Sequence, residues 1–379
     1  MKKCRWFFLP LLLISCTGDL FEELGTNLAE PISVAVDPAN QRAYLVNSNN
    51  ELRYENGSLL VLDISNPAAP QRLTAVSPNP IPLANFSGQA YLDPARRLLF
   101  LPNRASENKT DLADPLLRIA LDEAVSPFGQ VESFNIGENP FGIACCDASG
   151  RGFVTTNAGS LVAFDSNDPS IQTSISLRVV LSTAIFSGRG ATRVAVTSDQ
   201  IFVSDLAGIV YVVNASDLSI DYVLTQVGVP RGLLAEAADP DGDGPRGRSL
   251  YIIDSSSALP LLRVIPLSSI PVLDSSEAMK EMTISSIEAA TISLGTNPQE
   301  IVFLIDKAFV TNRGDDTISV ISLANTSVET KIEVGDEPFG LSAFTALNGT
   351  SYLYVTNIAA NTMSVIDLSS NSVVATFTN

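Results

Sequence analysis

The 379-residue chain contains no histidine, which limits its chemistry before any motif is considered. A Ser-His-Asp triad, a Cys-His pair and any imidazole-bound zinc, copper or haem are excluded. What remains rests on carboxylates, guanidiniums and four cysteines. The most acidic loop is Asp239-Pro240-Asp241-Gly242-Asp243-Gly244. Alternating carboxylates before a glycine suit Ca²⁺, which takes several oxygens from a sharply turning backbone. The twelfth position, where a helix-flanked calcium loop needs a bidentate Glu, is Leu250, and Arg246 and Arg248 intervene. Asp239, Asp241 and Asp243 thus describe a partial metal site, with a solvated Asp-Gly hairpin turn as the plainer reading. Arg193 and Arg231 are suited to receiving a carboxylate or phosphate through paired hydrogen bonds.

Cys145-Cys146 are the only cysteines beyond the first sixteen residues. In an oxidising compartment two neighbouring thiols can close a vicinal disulfide, and free buried cysteines are the alternative. With no third cysteine at hand they cannot complete a tetrahedral metal set without distant carboxylates.

These groups are positioned by a repeat. Pro338-Phe339-Gly340 leads through Tyr354-Val355-Thr356-Asn357 to Met363-Ser364-Val365-Ile366-Asp367. The preceding copy runs from Pro298 through Phe309-Val310-Thr311-Asn312 to Ile318-Ser319-Val320-Ile321. An aromatic followed three places later by Asn or Asp recurs at Tyr44/Asn47, Phe100/Asn103, Phe202/Asp205, Tyr251/Asp254, Phe309/Asn312 and Tyr354/Asn357, with a looser copy at Phe153/Asn157. Each is followed by another short apolar run. Short β-branched and aromatic runs divided by Asn, Asp and Gly read as strand, turn, strand. One such sheet cannot bury both faces alone, so neighbours must stack, and radial closure protects their edges. The expected fold is all-β: a seven-bladed β-propeller of four-stranded antiparallel blades at approximately 31–77, 78–136, 137–184, 185–226, 227–291, 292–334 and 335–379. Residues 268–290 carry a helix-like stretch, with Ser275-Ser276-Glu277 leading into 278–282, which reads as a turn or two of helix outside the barrel or equally as an irregular outer-strand insertion.

Pro-x-Gly, Tyr-Val-Thr-Asn and Ser-Val-Ile-Asp resemble the YVTN-type β-propeller repeat of bacterial envelope proteins. The resemblance spans roughly residues 30–379 and is closest in the last two units. It implies a fold and an envelope setting, and says less about activity. Some cofactor-dependent propeller dehydrogenases hold a vicinal cysteine ring, and propeller lactonases hold calcium, but neither family's motif is present.

Formal net charge is −18, which argues against nucleic acid as a partner, predicts repulsion from anionic membrane surfaces and leaves cations and basic proteins as candidate partners. At the N-terminus, Lys2, Lys3 and Arg5 precede an apolar run, 6–14, too short to span a bilayer and read as a signal peptide, 1–15. Leu13-Ile14-Ser15-Cys16 resembles the bacterial lipobox, which implies acylation of Cys16, membrane lipid as a partner, and an outer-membrane destination in a Gram-negative cell because Thr17 follows. Residues 16–30 would form a tether reaching at most roughly 50 Å.

One propeller face should gather Arg193, Arg231, Glu300, Phe141 and Phe339 near the axis, with Asn312 and Asn357 further out. Arg193, Arg231, Glu300, Asn312 and Asn357 are the ligand-binding candidates, although Asn after a strand also serves local backbone donors. The expected function is a non-enzymatic, lipid-anchored binding or interaction scaffold for an envelope protein or small anionic ligand. The alternative is a calcium-dependent, lactonase-like hydrolase with carboxylates in the central channel.

Overall fold

The computed structural model describes residues 28–378 apart from 50–55, 84, 86, 105–114, 125–127, 146–149, 182–183, 237–247, 257, 275 and 289. The expectations for Cys16, the signal, Cys146 and Asp239, Asp241 and Asp243 fall outside the described residues.

Seven antiparallel sheets succeed one another along the chain, each beginning with its innermost strand. Blade one holds Pro31–Asp37, Arg42–Asn47 and Gly57–Asp63, with an outer edge shared by Gln71–Arg72 and Ile81–Leu83. Blade two holds Tyr91–Asp93, Leu98–Pro102, Pro115–Ala120 and Val131–Asn135; blade three holds Pro140–Ala144, Arg151–Thr156, Ser160–Asp165 and Gln172–Ser176. Blade four is Ala191–Val196, Gln200–Asp205, Ile209–Asn214 and Ile220–Thr225, and blade five Pro230–Ala235, Ser249–Asp254, Leu261–Pro266 and Ala290–Ser293. Blade six is Pro298–Leu304, Lys307–Asn312, Thr317–Ser322 and Ser327–Glu333, and blade seven Pro338–Thr345, Ser351–Asn357, Thr362–Asp367 and Ser372–Phe377. This is the expected seven-bladed propeller.

Burial follows position in the blade. Middle strands lie between two neighbouring sheets and are covered on both faces, so Gln200–Asp205 and Ile209–Asn214 are buried throughout. Outer strands such as Val131–Asn135 are largely exposed. The ring closes between blades seven and one, where Phe344, Tyr354 and Met363 share a core with Val34, Leu45 and Leu60. Tyr354 Oη donates to the Pro67 carbonyl at 2.7 Å, and the Glu30 amide donates to Asn361 Oδ1 at 2.8 Å.

The repeated motif has a local cause. Every inner strand except that of blade two slips register near its start, between Pro298 and Ile301 in blade six and between Pro338 and Leu341 in blade seven. The slip takes the third residue's amide out of the ladder, and a buried amide needs another acceptor. The threonine of the aromatic-Val-Thr-Asn run supplies it: Glu300 N donates to Thr311 Oγ1 at 3.0 Å and Gly340 N to Thr356 Oγ1 at 2.8 Å. Glycine at that third position also lets neighbouring inner strands approach. A Cβ on Gly340 would stand 2.5 Å from the Ile32 carbonyl.

Three features refine the sequence reading. Of the two readings of residues 268–290, the structure shows the outer strand in place of the helix: Lys280–Thr283 leaves blade five and pairs in parallel with the outer strand of blade four, and short 3-10 turns, Leu267–Ser269 and Ile284–Ser286, flank it. Burial of Met282, Ile284 and Ile287 beside Ile270 and Leu273 overrides the local helical preference. Ile81–Leu83 belongs to blade one, where the Asn79 side chain bonds both backbone groups of Val61 and fills the gap before it. Between blades three and four the chain makes a small extra hairpin, Val179–Val180 with Ile185–Phe186.

Candidate axial cup

Counting along each inner strand from the cross-strand partner of its aromatic places Ser33, Gln89, Gly142, Arg193, Gly232, Glu300 and Gly340 at one equivalent position in blades one to seven. Small residues stand in the odd blades and long polar ones in the even blades. Those long side chains meet. Glu300 Oε2 accepts from Arg193 Nη2 at 3.0 Å, and Glu300 Oε1 accepts from Gln89 Nε2 at 3.2 Å. Blades two, four and six are not neighbours, so these bonds pass over the axis and bar the central channel. The glycines of blades three, five and seven leave room for the bar.

Above it lies a cup of about 390 Å³, within the range of small-ligand sites. Ile32, Phe141 and Phe339 line its walls, while Arg104, Arg313, Glu337 and Asn361 stand around it. The guanidiniums of Arg193 and Arg104 lie 5.4 and 5.1 Å from the Phe141 ring centroid, within cation–π reach. Arg313 Nε donates to Glu337 at 3.1 Å.

Arg193 and Glu300 are buried, at 5% and 6% exposure. Burial pushes the Glu300 carboxyl above its ordinary value, while the charge and hydrogen bond of Arg193 oppose the rise. Arg231 differs from Arg193. It occupies the position before Gly232, equivalent to Thr192, so the two arginines stand one place apart along their inner strands, and Arg231 is not among the residues lining the cup. Arg231 is half-buried, its Nε is enclosed without a hydrogen-bond partner, and it makes no ion pair among the described residues. Burial first, then the charges of Arg193 and Arg313, hold its guanidinium below the ordinary value.

Asn312 and Asn357 are fully buried and engaged inside their blades. Asn312 Nδ2 donates to Thr317 and Ser319, and its Oδ1 accepts from Gly295 N. Asn357 Nδ2 likewise donates to Thr362 and Ser364, while the amide of Gly335 donates to Ser364 in place of the asparagine oxygen. Neither lines the cup, so both act as staples between strands. Cys145, on the wall of blade three, is disulfide-bonded. Among the described residues no three His, Cys, Asp or Glu side chains stand close enough to hold a metal ion, and Glu300 is engaged by Arg193 and Gln89. Sequence reasoning missed Gln89, because blade two lacks Pro-x-Gly, and Arg313, although it directly follows the Asn of its repeat.

No protein-family model matches the chain, and no curated protein matches it. Among solved structures, the chain is similar to hydrazine synthase of Kuenenia stuttgartiensis, with a TM-score of 0.59 over 94% of this chain and 99% of that one. The two are 11% identical. The likeness is one of fold.

Proposed function

We propose that the protein is a lipid-anchored binding propeller of the bacterial envelope, related to the YVTN-repeat group, whose axial cup takes an apolar group bearing a carboxylate. The anchoring rests on the sequence Leu13-Ile14-Ser15-Cys16 after a short apolar run. The cup reading rests on one observation: Phe141, Phe339, Arg193 and Arg313 line a single cavity, and Arg231, just outside that lining, has no ion-pair partner among the described residues and lies close enough to Arg193 and Arg313 to feel both charges. Glu300 and Glu337 already answer those two arginines. A carboxylate among the three would relieve the repulsion, and Phe141 and Phe339 would cover an attached apolar group.

Benzoate is a suitable probe, with benzyl alcohol as the neutral control. The wild-type melting temperature should rise with benzoate and not with the alcohol. In Arg231→Gln the rise should disappear, and an undiminished response there would reject the assignment. The carboxylate at the axis, Glu300, is engaged by Arg193 and Gln89, and these contacts favour the binding reading over the hydrolase. Calcium dependence would have to come from Asp239, Asp241 and Asp243.

A further inference from the structure

The connection between blades three and four departs from the four-residue junction that recurs elsewhere in the ring. Residues 136–139, 226–229, 294–297 and 334–337 link an outer strand to the next inner strand through four residues each, whereas this junction runs from 177 to 190 and carries the hairpin Val179–Val180 with Ile185–Phe186. Such junctions end where inner strands begin, so the hairpin stands on the same face as the cup.

One side of the hairpin is seated firmly. Leu177, Val179 and Leu181 are buried in the core shared by blades three and four, the Leu177 amide bonds the Gly159 carbonyl at 2.8 Å, and Gly188 packs against the Gly159 backbone. The other side is bare. Val180 and Ile185 are cross-strand partners, and they are 65% and 63% exposed. An opposed, exposed aliphatic pair held on a rigid mount has no folding role to explain it. Arg178 and Arg189 bracket the pair; both are exposed and neither makes an ion pair among the described residues. From 169 to 198 the sequence has no acidic residue, in a chain whose net charge is −18.

We infer that this hairpin is a membrane-contacting finger that rests on an anionic lipid surface, with Val180 and Ile185 entering the headgroup region and Arg178 and Arg189 meeting lipid phosphates. Charge complementarity argues for that occupant, since an apolar pair flanked by arginines is the pattern that interfacial segments use. The position of the N-terminal segment argues for it too, on the lipid-anchored reading: residues 28–30 lead into the first inner strand on this same face, so a tether from Cys16 would draw this face toward the bilayer. The overall negative charge then orients the molecule, because the rest of the surface is repelled from anionic lipid while the acid-free finger can approach.

The test uses residues 17–379, without the acyl site, so that failure of the anchor and failure of the finger are separable; folding of each form is checked by thermal melting. Sedimentation with vesicles of phosphatidylglycerol and phosphatidylcholine is compared with phosphatidylcholine alone. The unaltered chain should partition onto the anionic vesicles and be released by salt. Val180→Ser with Ile185→Ser, and separately Arg178→Gln with Arg189→Gln, should weaken partitioning by about tenfold, while Arg178→Lys with Arg189→Lys should retain it. Background sedimentation of the unaltered chain, as expected if the hairpin serves a protein partner, would overturn the proposal, as would equal partitioning of the Ser or Gln variants. Whether Cys16 carries lipid is read independently, by cell fractionation.

Discussion

Glu300 of blade six and Arg193 of blade four are hydrogen-bonded at 3.0 Å across the propeller axis, over the glycine that blade five places between them. A buried pair of this kind is costly to break from one side, because the remaining charge is left in a poorly solvated place. Glu300→Ala should lower stability by about 3–5 kcal/mol. Glu300→Leu combined with Arg193→Met should recover most of that loss. Denaturant midpoints of the single and double variants check the pair, and additive losses in the double variant would contradict the coupling.

The raised Glu300 pKa carries a pH signature. A carboxyl that holds its proton more tightly when folded stabilises the fold fully below its ordinary value and loses that contribution as pH rises through the raised one. Glu300→Gln removes the titration. The melting temperature of the wild type relative to Glu300→Gln should therefore fall as pH is raised from about 4 to about 8. A difference that grows with pH would show that the ionised pair dominates instead.

Ring closure depends on absent side chains as much as on contacts. Gly340→Ala would force a methyl group to 2.5 Å from the Ile32 carbonyl, between blades seven and one. The expected cost is roughly 1–3 kcal/mol. Tyr354→Phe removes only the bond to the Pro67 carbonyl and should cost about 1 kcal/mol. Equal melting temperatures for Gly340→Ala and the wild type would mean that the blades do not meet this closely.

Anchoring can be separated from folding. Cys16→Ala should move the protein from the membrane fraction to the soluble one without changing its melting temperature, since the contacts that join blades seven and one lie among residues 28–378. Persistence in the membrane pellet after a salt wash would contradict acylation at Cys16.

The fold was legible in the sequence because each blade is a local unit: strand runs, turns and the threonine and asparagine staples recur at fixed offsets. Phe309/Asn312 and Tyr354/Asn357 give the blade register directly. The cup was only partly legible. Arg193, Glu300, Phe141 and Phe339 were placed on the right face, but Gln89 sits in a blade without Pro-x-Gly and could be aligned only from its strand partners. Asn312 and Asn357 were assigned to ligand because the repeat marks them, and the mark reflects buried hydrogen bonding to Ser and Thr hydroxyls. The sequence leaves 268–290 open between helix and outer strand because the pairing partner of Lys280–Thr283 lies some sixty residues earlier, on another blade. Its propensity was local and its burial was not.

The central claim is that ligands are taken at the axial cup, and a photo-crosslinking residue placed at that site in intact envelopes tests it most directly. Incorporated at Phe339 on the cup wall, it should give a specific adduct that disappears in an Arg231→Gln background, while the same residue at Val374 on the exposed outer strand of blade seven should give none. Adducts at Val374 with none at Phe339 would place binding on the blade edge and contradict the account.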